Sequence, residues 1–99
     1  MAYKIVLTHN FEATASNTSQ WIEKTWSYQS SLKFQKKLLV VIEAISQNPK
    51  IGKPSKKRKS IRSMYVTKHN RLYYRVSKNT ITILELFETK QNPSRNKFD

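Results

Sequence analysis

Cysteine is absent from this sequence of 99 residues, and glycine occurs once, as Gly52. Without cysteine the chain can form no disulfide framework, present no thiol nucleophile and bind no zinc through sulfur. A single glycine excludes the glycine-rich loops that hold nucleotide phosphates in P-loop and dinucleotide-binding proteins. Histidine is represented by His9 and His69 alone, so we expect neither a metal site nor a cofactor.

Long hydrophobic runs are also missing. No segment approaches the ~20 apolar residues that cross a bilayer, and the opening segment, residues 1–7, is shorter than the apolar part of a signal sequence. Hydrophobic residues make up 37% of the chain, which is enough for one small core. We therefore expect a cytoplasmic protein without membrane contact. It should fold as a single domain over residues 1–99, with a polar tail from about residue 90.

Acidic residues are few, because six Asp and Glu stand against nineteen Lys and Arg, for a net charge of +13. A charge of this size repels itself and destabilises the compact chain, so we interpret it as the mark of a polyanionic or acidic partner. The charge is also uneven along the chain. Between Glu43 and Glu85 there is no acidic residue, and that window holds eleven of the nineteen basic residues.

Apolar residues in the first half of the chain recur at helical spacing. A first helix is predicted over residues 11–26 with Thr8 or Asn10 as its N-cap, and a second from residue 28 to about 48 with Ser27 as its N-cap. Because only a residue or two separates them, the helices should form an antiparallel hairpin. The thin apolar face of the first helix comprises Phe11, Ala15, Thr18, Ile22 and Trp26. The stronger face of the second comprises Phe34, Leu38, Val41, Ile42 and Ile45.

The second half of the chain changes to the two-residue period of strands. Strands are predicted over residues 3–7, 61–67, 71–76 and 80–87, with hairpin-length turns between the last three and a linker over residues 50–59. The order β-α-α-β-β-β predicts an α+β domain in which the helical hairpin packs on one face of a small antiparallel β-sheet. The strand residues that should meet the second helix are Val6 and Ile81, Ile83 or Leu84.

The basic window also contains aromatic residues, since Tyr65, Tyr73 and Tyr74 are interleaved with the cations. Lys and Arg neutralise phosphates and aromatic rings stack on bases, and the two together are typical of a nucleic-acid-binding surface. The alternative is a solvated basic loop next to tyrosines of the core. The candidate nucleic-acid-binding residues are Lys53, Lys56, Lys57, Arg58, Lys59, Lys68 and Arg75.

Three arginines, Arg62, Arg71 and Arg75, lie on adjacent predicted strands, so we expect their side chains to converge on one face of the sheet. A strand holds an arginine more rigidly than a loop holds a lysine, which suits bidentate contact with phosphate. The alternative is that these arginines form ion pairs with Glu43, Glu85 or Glu88. Three carboxylates are too few, however, to neutralise the arginines and their lysine neighbours.

Strand alternation decides which of these side chains can face solvent. It places Arg71 on the face away from the helices, because the alternate positions hold the better core residues Leu72, Tyr74 and Val76. His69 lies in a predicted turn amid positive charge, where it is a candidate catalytic base, the alternative being a merely polar turn residue.

Four segments carry a resemblance to a known family. Residues 4–8 are similar to its opening strand and helix cap, residues 45–49 to the end of its second helix, residues 61–76 to its most recognisable stretch, and residues 83–93 to its last strand and exit. In this combination and order the chain resembles the RelE/ParE toxins of bacterial type II toxin–antitoxin systems. The resemblance covers nearly the whole chain and implies the RelE/ParE-like fold. It also implies a small cytoplasmic toxin that an acidic antitoxin, encoded beside it, neutralises.

The family has two main activities, and the resemblance implies one or the other. RelE-like members enter the ribosome and cleave mRNA, with the RNA 2′-hydroxyl as nucleophile. ParE-like members bind DNA gyrase and inhibit it without cleaving nucleic acid. We expect a toxin that inhibits translation by ribosome-dependent mRNA cleavage, the alternatives being a gyrase inhibitor or a non-toxic nucleic-acid-binding module.

The resemblance also implies site residues for the cleaving activity. Arg62 and Arg71 match strand positions where cleaving members place basic residues, and Lys90 or Gln91 falls where a further one is expected. The implied catalytic set is therefore Arg62, Arg71 and Lys90 around one phosphate. Cleaving members often use a C-terminal Tyr or His as proton donor, and that position falls near residues 97–98. The side chain of Phe98 has no proton to donate, so a lysine or His69 would have to act as the proton donor instead.

Overall fold

A computed structural model describes residues 3–90 and 97–98 of the chain. Its elements are, in order, β1 Lys4–Leu7, α1 His9–Thr25, α2 Tyr28–Gln47, a 3-10 turn Pro49–Ile51, β2 Lys53–Pro54, β3 Ile61–Thr67, β4 Asn70–Ser77 and β5 Thr80–Glu88. The predicted β-α-α-β-β-β order is confirmed, with β2 as an additional strand of two residues. No helix in these described ranges combines the length and the apolarity that crossing a membrane requires.

The N-caps of the two helices explain where they begin. The Oγ1 of Thr8 accepts a hydrogen bond from the N–H of Phe11, and the Oγ of Ser27 accepts one from the N–H of Ser30, each at 3.0 Å. Each cap satisfies a backbone donor that has no partner within its helix. α1 ends one residue before Trp26, and that side chain is 72% exposed. Trp26 therefore follows the helix as its C-cap and contributes nothing to the buried core.

The sheet has five strands in the order β1-β5-β4-β3-β2. β3, β4 and β5 form the predicted antiparallel meander, and β2 pairs with its edge, where the missing N–H of Pro54 is tolerated. β1 instead joins β5 in parallel, with Lys4 opposite Thr80, so the sheet is mixed. A parallel pair needs a crossover of about a dozen residues or more, and the helical hairpin forms part of that connection.

The main core lies between the helical hairpin and the sheet. Its buried residues are Phe11, Phe34, Leu38, Val41, Ile45, Val66, Leu72, Tyr74, Ile81, Ile83 and Leu86. The apolar face predicted for α2 is confirmed, although Ile42 is only partly buried. β1 contributes Ile5 rather than the predicted Val6, and Leu84 packs on the opposite face of the sheet.

A second, smaller cluster lies on the sheet face away from the helices, which we call the outer face. It consists of Ile61, Tyr73, Phe87 and Phe98, with Leu84 packed against it. The rings of Tyr73 and Phe98 stack with their centroids 4.7 Å apart and their planes 26° apart. The sequence analysis predicted no core here, and the cluster gives the outer face a rigid apolar base beside its charged residues.

Candidate nucleic-acid interface

Within residues 3–90 and 97–98, Ser63, Tyr65 and Tyr73 hold Arg71 on the outer face. Directly opposed residues of antiparallel strands share a face, and the β3–β4 register sets Tyr65 opposite Arg71 and Ser63 opposite Tyr73. The Nη2 of Arg71 donates a hydrogen bond to the Oγ of Ser63 at 2.7 Å. Its guanidinium carbon lies 5.0 Å from the centroid of the Tyr73 ring and 5.4 Å from that of the Tyr65 ring. The predicted orientation of Arg71, away from the helices, is confirmed, and the side chain is half-buried.

These contacts fix the guanidinium before any ligand arrives. Each cation–π contact contributes about 0.5–1 kcal/mol at an exposed site and more where water is excluded. A guanidinium stays charged at every physiological pH and presents several donors in a planar fork. Arg71 is thus a preorganised cation, the type of group that stabilises charge as it develops on phosphate oxygens.

Two lysines of residues 50–59, which we call the basic loop, lie beside Arg71. Lys53, on β2, is paired with Ser63 and therefore shares the outer face. Lys53, Pro54, Lys56 and Arg71 line a small cleft of about 240 Å³, which we call the Arg71 cleft. Both lysines are exposed, so their flexible ammonium groups can adjust to a ligand that the fixed arginine positions. The arrangement is suited to binding one phosphate group.

Arg62 does not join this cleft, and its expected convergence with Arg71 and Arg75 on one face is wrong. It is paired with Tyr74 on β4 and so lies on the side of the sheet that the helices cover. Its Nη1 donates to the carbonyl oxygen of Gly52 at 2.8 Å. The signal was present in the sequence, because residues 62 and 64 have the same parity and Met64, which packs against the main core, is the better core residue.

Tyr74 holds the same loop from the core side. Its hydroxyl accepts a hydrogen bond from the N–H of Gly52 at 2.9 Å and donates one to the carbonyl oxygen of Pro49 at 2.7 Å. Burial raises the pKa of Tyr74, and the Gly52 N–H and the positive charge of Arg62 partly oppose that rise. The loop that leads into Lys53 is therefore fixed from two sides, a role for Arg62 and Tyr74 that the sequence analysis missed.

Lys90 and His69 line a different cleft of about 320 Å³, between the end of α1 and the β3–β4 turn. Its walls include Trp21 and Trp26, which are 55% and 72% exposed. We call it the tryptophan groove, with Trp21, Ile22, Trp26, His69 and Lys90 as its defining residues. The structure does not assemble Arg62, Arg71 and Lys90 around one phosphate, because each lies in different surroundings.

The other candidate nucleic-acid-binding residues are spread over the surface. Those that are exposed are Lys57, Arg58, Lys59, Lys68 and Arg75. The buried Ser55 orders the basic loop, because its Oγ accepts from the backbone N–H groups of residues 57 and 58 and donates to the carbonyl oxygen of Phe98. The basic loop is thereby tied to the apolar cluster of the outer face.

A tyrosine hydroxyl lies close to the Arg71 cleft. The Tyr65 side chain, which contacts Arg71, is 58% exposed and carries a hydroxyl that solvent can reach. Phe98, near the position where the resemblance implied a proton donor, is buried against Tyr73. Within the part of the chain that the structure describes, no three His, Cys, Asp or Glu side chains lie close enough to hold a metal ion.

Comparison with known proteins agrees with this architecture. A search of curated protein sequences finds no match. Among solved structures, a chain of the chromosomal ParDE TA system from P. aeruginosa superposes with a TM-score of 0.76 at 13% identity, over 90% of this chain and 98% of that one. A YoeB/ParE toxin from Agrobacterium tumefaciens gives a TM-score of 0.62 at 18% identity, over 86% and 97% of the two chains.

A third structure, the YoeB dimer from Staphylococcus aureus, gives a TM-score of 0.58 at 16% identity, over 86% of this chain and 94% of that one. These three likenesses establish the fold, an α+β domain with two helices on a mixed sheet. The family model described as the ParE toxin of type II toxin-antitoxin system, parDE, matches residues 5–93. This chain therefore belongs to the ParE toxin family of type II toxin–antitoxin systems.

Proposed function

We propose that this toxin stops translation by cleaving mRNA on the ribosome, and that the Arg71 cleft receives the scissile phosphate. The observation that carries the proposal is the fixed guanidinium of Arg71 in one cleft with Lys53 and Lys56. Three cations around a small cleft suit a phosphodiester. The rigidity of Arg71 favours the more highly charged transition state over the ground state.

In this reaction the 2′-hydroxyl of the RNA attacks the adjacent phosphorus, and the bond from phosphorus to the 5′-oxygen of the next nucleotide breaks. The products are a 2′,3′-cyclic phosphate and a 5′-hydroxyl. Arg71 and Lys53 stabilise the negative charge that develops on the non-bridging oxygens. Tyr65 donates a proton to the departing 5′-oxygen, while the proton of the 2′-hydroxyl passes to water, and solvent then reprotonates the tyrosine.

The charge of the protein fits its proposed partners. Membership of the family implies an antitoxin, and a net charge of +13 makes an acidic antitoxin the expected one, because opposite charge speeds association and masks the basic surface. The ribosome and its mRNA are also polyanions. The same surface would then bind either the antitoxin or the target, and the action would take place in the cytoplasm.

Induction of the gene in growing bacteria, with pulse labelling of protein and DNA, tests the proposal. Amino-acid incorporation should stop first, and cut mRNA with 2′,3′-cyclic phosphate ends should accumulate. Arg71→Ala should reduce cleavage by ~10²–10³-fold while folding and antitoxin binding persist. Lys33→Ala, on the exposed side of α2, removes one positive charge elsewhere and should leave toxicity unchanged. Arrest of DNA synthesis with an SOS response, while mRNA stays intact, would contradict the proposal.

A second function, inhibition of DNA gyrase by direct binding, is favoured by the tryptophan groove. Exposed apolar clefts with tryptophans are typical of protein-binding surfaces, and binding needs no proton donor at the buried Phe98. In that case Trp21→Ser combined with Trp26→Ser should abolish toxicity, and Arg71→Ala should remain toxic. The labelling experiment separates the two functions by which synthesis stops first.

A further inference from the structure

A second and larger cleft lies on the outer face, between the start of α1 and the basic loop. Its volume is about 430 Å³, within the range of roughly 300–1,000 Å³ that is typical of small-ligand sites. Its lining residues are Thr8, Asn10, Arg58, Ile61, Arg75, Leu84, Lys97 and Phe98. We call it the Arg75 cleft. It is nearly twice the volume of the Arg71 cleft and has room for more than a phosphate group.

One wall of the Arg75 cleft is apolar and rigid. Ile61 and Phe98 are 1% and 6% exposed, and Leu84 packs against them. The Phe98 ring stacks on Tyr73, and its carbonyl oxygen accepts a hydrogen bond from the Oγ of Ser55. A flat apolar wall fixed in this way suits a nucleobase, because every base has an apolar face that gains from leaving water.

The cleft also contains cations, among them Lys97, whose Nζ lies 5.4 Å from the centroid of the Phe98 ring. The carboxylate of Glu85 accepts a hydrogen bond from the Nδ2 of Asn10 at 2.6 Å and lies 3.8 Å from the Nζ of Lys97. It therefore neutralises Lys97 in part. Arg58 and Arg75 have no carboxylate partner within residues 3–90 and 97–98 and are exposed. Two arginines beside an apolar wall can bind the phosphate of a nucleotide whose base lies against that wall.

The Arg75 cleft is too far from the Arg71 cleft for one phosphate to occupy both. Arg75 lies four residues after Arg71 on β4, which is about 13 Å at ~3.3 Å per residue. Both side chains are on the outer face, because Arg71 is paired with Tyr65 and Arg75 with Ile61. A strand that lays its scissile phosphate at Arg71 could therefore reach the Arg75 cleft with a flanking nucleotide.

We propose that the Arg75 cleft binds one nucleotide of a single RNA strand, with the base against Phe98 and Leu84 and the phosphate on Arg58 and Arg75. The proposal rests on the proposed function only in identifying this strand as the one that is cleaved at Arg71. It gives the toxin a subsite that holds RNA on the outer face apart from the reacting phosphate. Because every base has an apolar face, this wall would accept all four bases and would add affinity for the strand rather than selectivity among bases.

Binding without cleavage is measured with a fluorescent 2′-O-methyl pentanucleotide, in which the nucleophilic hydroxyl is blocked. Arg58→Gln combined with Arg75→Gln should weaken binding about tenfold and flatten the plot of log affinity against log salt by ~0.7 for each lost phosphate contact. Lys33→Gln combined with Lys36→Gln removes the same charge from the exposed side of α2. If the two double variants weaken binding equally, the effect is one of net charge and the proposal is overturned.

The position of the bound nucleotide is tested by titration with adenosine 5′-monophosphate, followed by methyl NMR. The signals of Ile61 and Leu84 should shift in the wild type and stay in place in the Arg58→Gln, Arg75→Gln variant. Shifts confined to the neighbourhood of Lys53 would overturn the proposal.

The two proposals can fail separately. If RNA binding depends on Arg58 and Arg75 but mRNA stays intact after induction of the toxin, the nucleotide subsite is supported and the proposed cleavage is ruled out. If the Arg58→Gln, Arg75→Gln variant binds the pentanucleotide and cleaves mRNA as the wild type does, the subsite is removed and the proposed function stays in place.

Discussion

Replacing Gly52 with alanine should destabilise this protein by about 2–3 kcal/mol. An added Cβ would lie 2.5 Å from the Oη of Tyr74, 2.8 Å from its Cε1 and 2.9 Å from the carbonyl oxygen of Ser63. Because Ser63 contributes backbone of β3 and Tyr74 is buried, the loop has to move. The backbone φ of Gly52 is −77°, which alanine adopts easily, so the cost arises from packing alone.

The magnitude follows from two effects of the same displacement. Forcing a methyl group into a filled site costs about 1–3 kcal/mol. Movement of the loop also breaks the hydrogen bonds that join Gly52 to Tyr74 and to Arg62, and a buried hydroxyl that loses its partners costs about 1–3 kcal/mol. Because one movement of the loop relieves the steric clash and breaks the hydrogen bonds, the two free-energy costs should not add in full.

Urea titration at 25 °C measures the effect, with Tyr74→Phe as the comparison. Phenylalanine removes the oxygen at 2.5 Å and leaves the ring carbon at 2.8 Å, so the double variant should lose less free energy of unfolding than the sum of the single variants, by at least about 0.5 kcal/mol. Two results would refute the reasoning. One is a free energy of unfolding for Gly52→Ala within about 0.5 kcal/mol of the wild-type value, and the other is strict additivity of the two single variants in the double variant.

Further predictions concern the core, the buried tyrosine and the site. Ile45→Ala, at a fully buried position, should lower the free energy of unfolding by about 2–5 kcal/mol in denaturant titrations, whereas Leu39→Ala, 66% exposed, should change it by under about 0.5 kcal/mol. Burial raises the pKa of Tyr74 above 10.0, so the stability linked to its neutral hydroxyl is present below pH 10 and is lost as pH rises through the folded-state pKa. The Tyr74→Phe variant should therefore lose less Tm above pH 10 than the wild type. Identical profiles of Tm against pH would contradict the raised pKa. Arg71→Ala should abolish toxicity with an unchanged circular dichroism spectrum, while Lys57→Ala should weaken target binding slightly and in a salt-dependent way; full toxicity of Arg71→Ala would show that the cation is not needed.

The sequence predicted features that depend on neighbours along the chain. Thr8 and Ser27 cap the helices because a hydroxyl at that point reaches an N–H three residues on. The face of Leu72 and Tyr74 was predictable because side chains alternate along a strand. The same rule, applied to Met64, places Arg62 on the core side, so the error about Arg62 was one of reasoning rather than of missing information.

Other features depend on partners that are far apart in sequence. The cluster of Tyr73 and Phe98 joins a strand to residues 25 positions later through ring stacking, and no local pattern marks such a pair. The Arg71 cleft likewise depends on the register of β2 against β3, which sets Lys53 opposite Ser63. The sequence therefore named Arg71, Lys53 and Lys56 as candidates without predicting that the three line one cleft.

The parallel pairing of β1 with β5 has a consequence for how the molecule assembles. Thr8, at the end of β1, donates to the carbonyl oxygen of Ile83 across 75 positions of sequence, whereas the helical hairpin and the β3–β5 meander are built from neighbours. Closing so long a loop costs entropy before its contacts form, so local units should form first and β1 should dock last. β1 then completes a sheet whose other strands have already formed. Weakening it with Ile5→Ala should speed unfolding and leave the folding rate almost unchanged.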